Sequence, residues 1–135
     1  MNLTLEQLPQ LSQKILDILP AGGIVILQGN LSSGKTTFTQ SFARFLGLSD
    51  TVTSPTFSLQ QRYGDSLFHY DIYNCGFDKF RTLGMMEELE KPGYHLIEWG
   101  DEELIGFVKR AGFETVTVKI TQKNEIMRCY EVNHE

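Results

Sequence analysis

Ile24-Val25-Ile26-Leu27-Gln28-Gly29-Asn30-Leu31-Ser32-Ser33-Gly34-Lys35-Thr36 settles what kind of protein this is before any other segment is considered. The four leading residues are a continuous apolar run, the pattern of a parallel-sheet strand covered on both faces. Phe38, Phe42 and Phe45 then recur at helical spacing and stop at Gly47, a residue that ends helices. Between strand and helix, Gly29 to Thr36 fits GxxxxGK[ST], in the one context where that pattern has a mechanism. Small residues let successive backbone N–H groups close around phosphate oxygens, and the helix start adds unpaired donors and the positive end of its dipole. Leu31, Ser32, Ser33, Gly34, Lys35, Thr36 and Thr37 are therefore the expected phosphate cradle. Lys35 reaches the β- and γ-phosphates, and the Thr36 hydroxyl takes one position on a magnesium ion.

Working outward, Leu8, Leu11, Ile15, Ile18 and Leu19 form one apolar stripe, which predicts a helix ending near Pro20. Residues 57–62 and 67–73 read as two strands joined by Tyr63-Gly64-Asp65-Ser66, a hairpin in the same sheet. Residues 78–89 are helical in character, interrupted at Gly84. Lys91-Pro92-Gly93 then breaks the chain before the apolar strand 94–97. Val116, Val118 and Ile120 alternate with polar residues, and residues 126–132 pair back across 122–125 as a closing antiparallel hairpin. The expected fold is α/β: a single P-loop NTPase-like domain over 1–135, with a mixed central sheet flanked by helices and carrying antiparallel hairpins.

The bulk numbers narrow the function. At 135 residues, 41% apolar and 21% charged, the chain is ordinary globular material with enough length for a core. Twelve basic against seventeen acidic residues give a net charge of -5, so the overall field repels a nucleic-acid backbone. Cys75 and Cys129 lie far apart, outside any CxxC spacing, as expected for reduced thiols. Residues 1–17 lack a basic start followed by an apolar run, and no apolar stretch is long enough to span a membrane. The expected location is the cytoplasm.

A phosphate cradle of this type needs a carboxylate opposite Thr36 to hold magnesium, usually at the end of a neighbouring apolar strand. Glu98, after Tyr94-His95-Leu96-Ile97, fits, although it could instead cap a helix beginning near Asp101. Asp71, within His69-Tyr70-Asp71-Ile72-Tyr73, is a second candidate to position water or to bind magnesium through water, against simple exposure on a half-buried strand. Thr53-Ser54-Pro55-Thr56 carries hydroxyls suited to the γ-phosphate, and the same residue types also suit a plain loop leading into a strand. Trp99 can flank the site or pack in the core. His69, His95 and His134 have no metal-ligand spacing, and His95 reads as structural. A charge-stabilising arginine is open among Arg44, Arg62, Arg81 and a partner protein.

Taken together, the segments Gly29 to Thr37, Thr53-Ser54-Pro55-Thr56-Phe57, His69-Tyr70-Asp71-Ile72-Tyr73, Leu83-Gly84 with its following acidic residues, and Ile97-Glu98-Trp99 resemble the TsaE (YjeE) family in the family's own order. That resemblance implies ATP and Mg2+ as cofactors, with Thr36 and Glu98 on the metal. It implies that Asp71 and residues Thr53 to Thr56 serve hydrolysis and that Trp99 lies near the nucleotide; with Asp71, Lys35 and Glu98 are the expected catalytic residues, Lys35 and magnesium stabilising charge. It further implies a role in making threonylcarbamoyladenosine (t6A) beside the anticodon of transfer RNA. TsaB and TsaD are then the implied protein partners, with tRNA met only through that complex. Where the family commonly has an acidic residue and a Gly-Ala pair, this chain has Asn30 and Ser32-Ser33, a departure compatible with the phosphate cradle.

Two other classes share the P-loop. A small-molecule or nucleoside kinase needs an acceptor pocket and usually a basic lid, and no Arg-rich lid is visible. A GTP-dependent switch needs a guanine-reading [NT]KxD segment, for which Gln122-Lys123-Asn124-Glu125 is a poor substitute.

Overall fold

The computed structural model describes residues 1–30, 34–48, 51–53, 59–73 and 75–134, with the backbone alone at 51–53. In chain order the elements are β1 (Asn2–Leu3), a 3-10 turn (Leu5–Gln7), α1 (Leu8–Ile18), β2 (Gly22–Gln28), α2 (Lys35–Phe45), β3 (Thr51–Thr53), β4 (Gln60–Tyr63) and β5 (Leu67–Asp71). They continue with α3 (Gly76–Thr82), α4 (Met85–Glu88), β6 (Gly93–Glu98), α5 (Glu102–Arg110), β7 (Thr115–Gln122) and β8 (Arg128–His134). The strands form one mixed sheet in the order β1-β8-β7-β2-β6-β5-β4-β3. β2, β5, β6 and β7 run parallel, while β3-β4-β5 and β7-β8-β1 are antiparallel. The expected α/β class with antiparallel hairpins is the observed one.

Strand alternation divides the core in two. Val25 and Leu27 of β2, Leu96 of β6, and Val116 and Val118 of β7 face Leu11 and Ile15 of α1 and Phe38 and Phe42 of α2. Ile24, Ile26, Phe68, Tyr70 and Ile97 point the other way, toward Phe80 of α3, Met85 of α4, and Leu104 and Val108 of α5. β2 is therefore buried on both sides, which is why its sequence is an unbroken apolar run rather than an alternating one. Pro9 falls in the first turn of α1, where its missing N–H costs nothing.

Several boundaries differ from the sequence expectation. β4 begins at Gln60; residues 57 and 58 lie outside the described residues. β5 stops at Asp71, because Gly76 N donates to Ile72 O and turns the chain into α3. The closing strand begins at Arg128 rather than at 126: the Asn124 side chain accepts from the Ile126 and Met127 amides, both at 2.9 Å, and this side-chain turn leaves Ile126 69% exposed. Thr53, read from the sequence as part of a loop over 53–56, ends the edge strand β3 on β4, and residues 54–56 lie outside the described residues. Gly84, at φ 79°, separates α3 from α4, as its position in the sequence suggested.

Chain direction fixes the site. From β2 the chain crosses to the β3 edge, returns through β4 and β5 to β6 beside β2, and then passes to β7 on β2's other flank. The strand order thus reverses around β2, and in open α/β sheets the crevice outside the carboxyl ends of such strands is where ligands bind.

Candidate functional site

The carboxyl end of β2 leads through Gly29 and Asn30 toward α2, and Leu31, Ser32 and Ser33 lie outside the described residues. Gly34 precedes the helix with φ 106°, in the left-handed region, where an added side chain would be strained although, its chain neighbours aside, no atom of the described residues lies within 4 Å of its Cβ position. The Lys35, Thr36 and Thr37 amides belong to the first turn of α2, whose N–H groups have no intrahelical acceptor and point toward the crevice.

Lys35 is 3% exposed. Its ammonium donates to Gly29 O at 2.9 Å and Asn30 O at 2.8 Å, and lies 3.9 Å from the centroid of the Trp99 ring. Burial pulls its pKa down, and the charges of Glu98 and Asp71 pull it back up. A cation held this way, at the start of a helix and beside two carboxylates, is positioned to meet an anion.

Parallel pairing of β2 with β6 sets Leu27 opposite Glu98, which brings Glu98 to the same end of the sheet as α2. The Thr36 hydroxyl lies 3.2 Å from Glu98 Oε1 and 3.0 Å from Oε2, and donates to that carboxylate. Glu98 is itself 3% exposed. A hydroxyl and a carboxylate converging on one point are hard oxygen donors, the set that magnesium takes alongside water and phosphate, so the residues present fit that ion. The capping alternative for Glu98 falls: Asp101 caps α5, its Oδ1 accepting from Leu104 N at 2.9 Å.

Asp71 sits opposite Glu98 in the β5–β6 register and ends its strand. It is exposed rather than buried among apolar residues, and Oδ1 accepts from Tyr73 N at 3.0 Å. It lines a cleft of about 320 Å³ shared with Gly34, Lys35, Thr36, Thr37, Glu98, Trp99 and Arg128, so its exposure is toward the site. Trp99 has φ 68°, unusual for a large side chain, and its amide donates to Leu27 O at 3.1 Å. That left-handed turn, directly after Glu98, folds the indole over Lys35 and against Tyr73, with ring centroids 4.6 Å apart. Trp99 thus joins the site and also packs against the second core face. Thr53 belongs to β3, its side chain and residues 54–56 lying outside the described residues.

Three residues at the site were given no role there from the sequence. His69 is buried on β5 and its Nε2 bonds Glu98 Oε2. The signal was present: His69 and Asp71 are two apart on one strand and so share the α2 face. Gln61 of β4 stands 3.4 Å from the other ring nitrogen of His69. Arg128 lines the cleft, a placement set by the register of β8 with β7 and invisible in a motif. The arginines singled out from sequence are engaged elsewhere: Arg62 with Asp65 and Phe68, Arg81 with Asp78 and Phe77, and Arg44 at a separate surface hollow. His95 is structural, bonding the Tyr70 hydroxyl and Lys91 O, each at 2.8 Å.

Beside Gly34 and Thr37 the site opens into a recess of about 420 Å³ lined partly by Leu3, Ile126, Arg128 and Tyr130. On the other flank of Thr36 a polar cleft of about 540 Å³ is lined by Gln61, His69, Asp71 and Lys79. Among the described residues no helix is long and apolar enough to cross a membrane.

The chain matches the family described as threonylcarbamoyl adenosine biosynthesis protein TsaE over residues 3–130. Among proteins described as tRNA threonylcarbamoyladenosine biosynthesis protein TsaE, that of Bacillus subtilis is 36% identical over 111 residues, covering 74% of this chain and 70% of the relative. That of Treponema pallidum is 38% identical over 87 residues, covering 62% and 64%. That of Rickettsia conorii is 30% identical over 135 residues, covering 96% and 75%. A crystal structure of Bacillus subtilis YdiB has the same fold, with TM-score 0.59 and 26% identity over 94% of this chain and 81% of that one.

Proposed function

The chain belongs to the TsaE family of threonylcarbamoyladenosine biosynthesis proteins, and from that premise we propose that it is a magnesium-dependent ATPase acting with TsaB and TsaD in modifying tRNA. The observation that carries this reading is the convergence of Lys35, Thr36 and Glu98 at the end of β2, with the Thr36 hydroxyl within 3.2 Å of the Glu98 carboxylate.

In this reading the amides at the start of α2 and the Lys35 ammonium bind the triphosphate, and the ammonium leaves the Gly29 and Asn30 carbonyls for phosphate oxygens. Thr36 and Glu98 would hold a magnesium ion, which would supply charge neutralisation at the phosphates. Asp71, exposed to the cleft beside Glu98, orients the attacking water in line with the γ-phosphate. The recess at Gly34 and Thr37, with apolar Leu3 and Ile126 and the phenol of Tyr130, offers room for the nucleoside. Transfer of the threonylcarbamoyl group occurs on the partners, and the acidic net charge of -5 agrees with tRNA being gripped by them.

The test is ATP turnover by the chain alone, with purified TsaB and TsaD, and with tRNA added. Stimulation by the partners supports the reading, and equal turnover in all three mixtures overturns the partnership. A second reading is favoured by the polar cleft beyond Thr36, which has space for a phosphoryl acceptor and would make the protein a small-molecule kinase. Phosphorylated acceptor, in place of inorganic phosphate, would establish it.

A further inference from the structure

We infer that His69 is a positioning residue that fixes the orientation of the Glu98 carboxylate toward Thr36. Glu98 is buried at the end of β6, and a carboxylate without donors in such a place is costly. Thr36 supplies a neutral hydroxyl to both oxygens. His69 contacts Oε2, leaving Oε1 bonded to Thr36 alone among the described residues. An ionised carboxylate only accepts, so the Nε2 of His69 carries a hydrogen toward it.

The ring is held from its far side too. β4 pairs with β5 so that Gln61 lies opposite His69, and the Gln61 side chain stands 3.4 Å from Nδ1. Turning the imidazole would break both contacts, so Gln61, His69, Glu98 and Thr36 form a continuous chain from β4 across β5 and β6 to the start of α2. Second partners of this kind orient ligating carboxylates at metal sites, and their loss typically costs about 10- to 100-fold in metal affinity. The inference rests on Glu98 as the magnesium ligand.

The experiment compares His69→Gln with His69→Asn. The glutamine amide nitrogen stands where Nε2 does and can donate to Glu98; the asparagine nitrogen stands where Nδ1 does and cannot. Trp99 is the sole tryptophan and lies at the site, so its fluorescence reads binding of a non-hydrolysable ATP analogue with and without Mg2+. For His69→Asn, metal-free analogue binding is expected within about 3-fold of the parent, while the Mg2+ concentration for half-maximal effect rises by about 10- to 100-fold. His69→Gln is expected to recover most of that loss. Two parental variants, two equally impaired variants, or the reverse ordering would overturn the inference. Glu98→Gln separates it from its premise: if that variant keeps the parental Mg2+ response, the metal-ligand reading fails; if it loses the response while His69→Asn keeps it, only the role of His69 fails.

Discussion

Replacing Lys35 by methionine separates binding from stability, because the same ammonium carries opposite consequences for the two. Its donors at 2.9 and 2.8 Å to the Gly29 and Asn30 carbonyls become, with triphosphate bound, donors to charged oxygens. Each such charge-assisted bond is worth about 1.5–3 kcal/mol. Losing two, less what is recovered when the carbonyls rehydrate, leaves a deficit of about 3 kcal/mol, roughly a 100-fold rise in Kd. The folded protein, however, holds this cation at a cost: Lys35 is 3% exposed and burial lowers its pKa against the pull of Glu98 and Asp71. Methionine has a similar length, no charge to desolvate, and a thioether that still packs on Trp99. Lys35→Met should therefore melt at the parental temperature or above it while its affinity for the ATP analogue, titrated by Trp99 fluorescence, collapses. An affinity within about 3-fold of the parent would place the ammonium outside the phosphate site. Lost binding together with a large drop in melting temperature would refute the claim that the lysine is retained for the ligand rather than for the fold.

Phe42→Ala empties the space between Phe38 and Tyr94, with ring centroids at 5.7 and 5.3 Å, and should cost about 3–5 kcal/mol in chemical denaturation. Gly93→Ala puts a Cβ 2.3 Å from the Ser66 carbonyl at φ 125°, so β5 and β6 must separate at their start; poor soluble yield or a marked loss of stability is expected, and a parental melt would contradict the close approach. Asp101→Ala removes the cap on Leu104 N and should destabilise by about 1 kcal/mol without altering analogue binding. His95 has its pKa lowered by burial, opposed by its bond to Lys91 O and the charge of Glu88, with the Lys91 charge acting in the same direction as burial. The unfolded chain takes up that proton first, so this contribution to stability is fully present above the ordinary histidine value and is lost as pH falls toward the lowered folded one. Thermal melts of His95→Gln should show a shallower decline than the parent between about pH 7 and pH 5.

Much of this molecule was legible in one dimension. The β2 to α2 unit follows from short-range chemistry: an apolar run long enough only for a buried strand, residues small enough for a phosphate cradle, and phenylalanines at helical spacing. Glu98 was findable because a GxxxxGK[ST] segment calls for a carboxylate at the end of a neighbouring apolar strand. Boundaries were missed where local hydrogen bonds overrode the pattern: the Asn124 side chain delays β8 to Arg128, and the backbone bond from Gly76 N to Ile72 O ends β5 early.

The tertiary structure alone decided which distant residues meet. Residue spacing cannot tell that β6 lies beside β2, that Asp71 pairs opposite Glu98, or that His69 rather than His95 faces the site, because strand order and register are set by long-range packing of two core faces. Arg128 reaches the cleft for the same reason, through a pairing between β7 and β8 that leaves no motif. The sequence determined a strand, a Gly- and Ser-containing turn and a helix in that order, since those elements depend on residues close together along the chain. The walls of the cleft at Gly34 to Thr37 come from elements far apart along the chain, and only their packing brings them together.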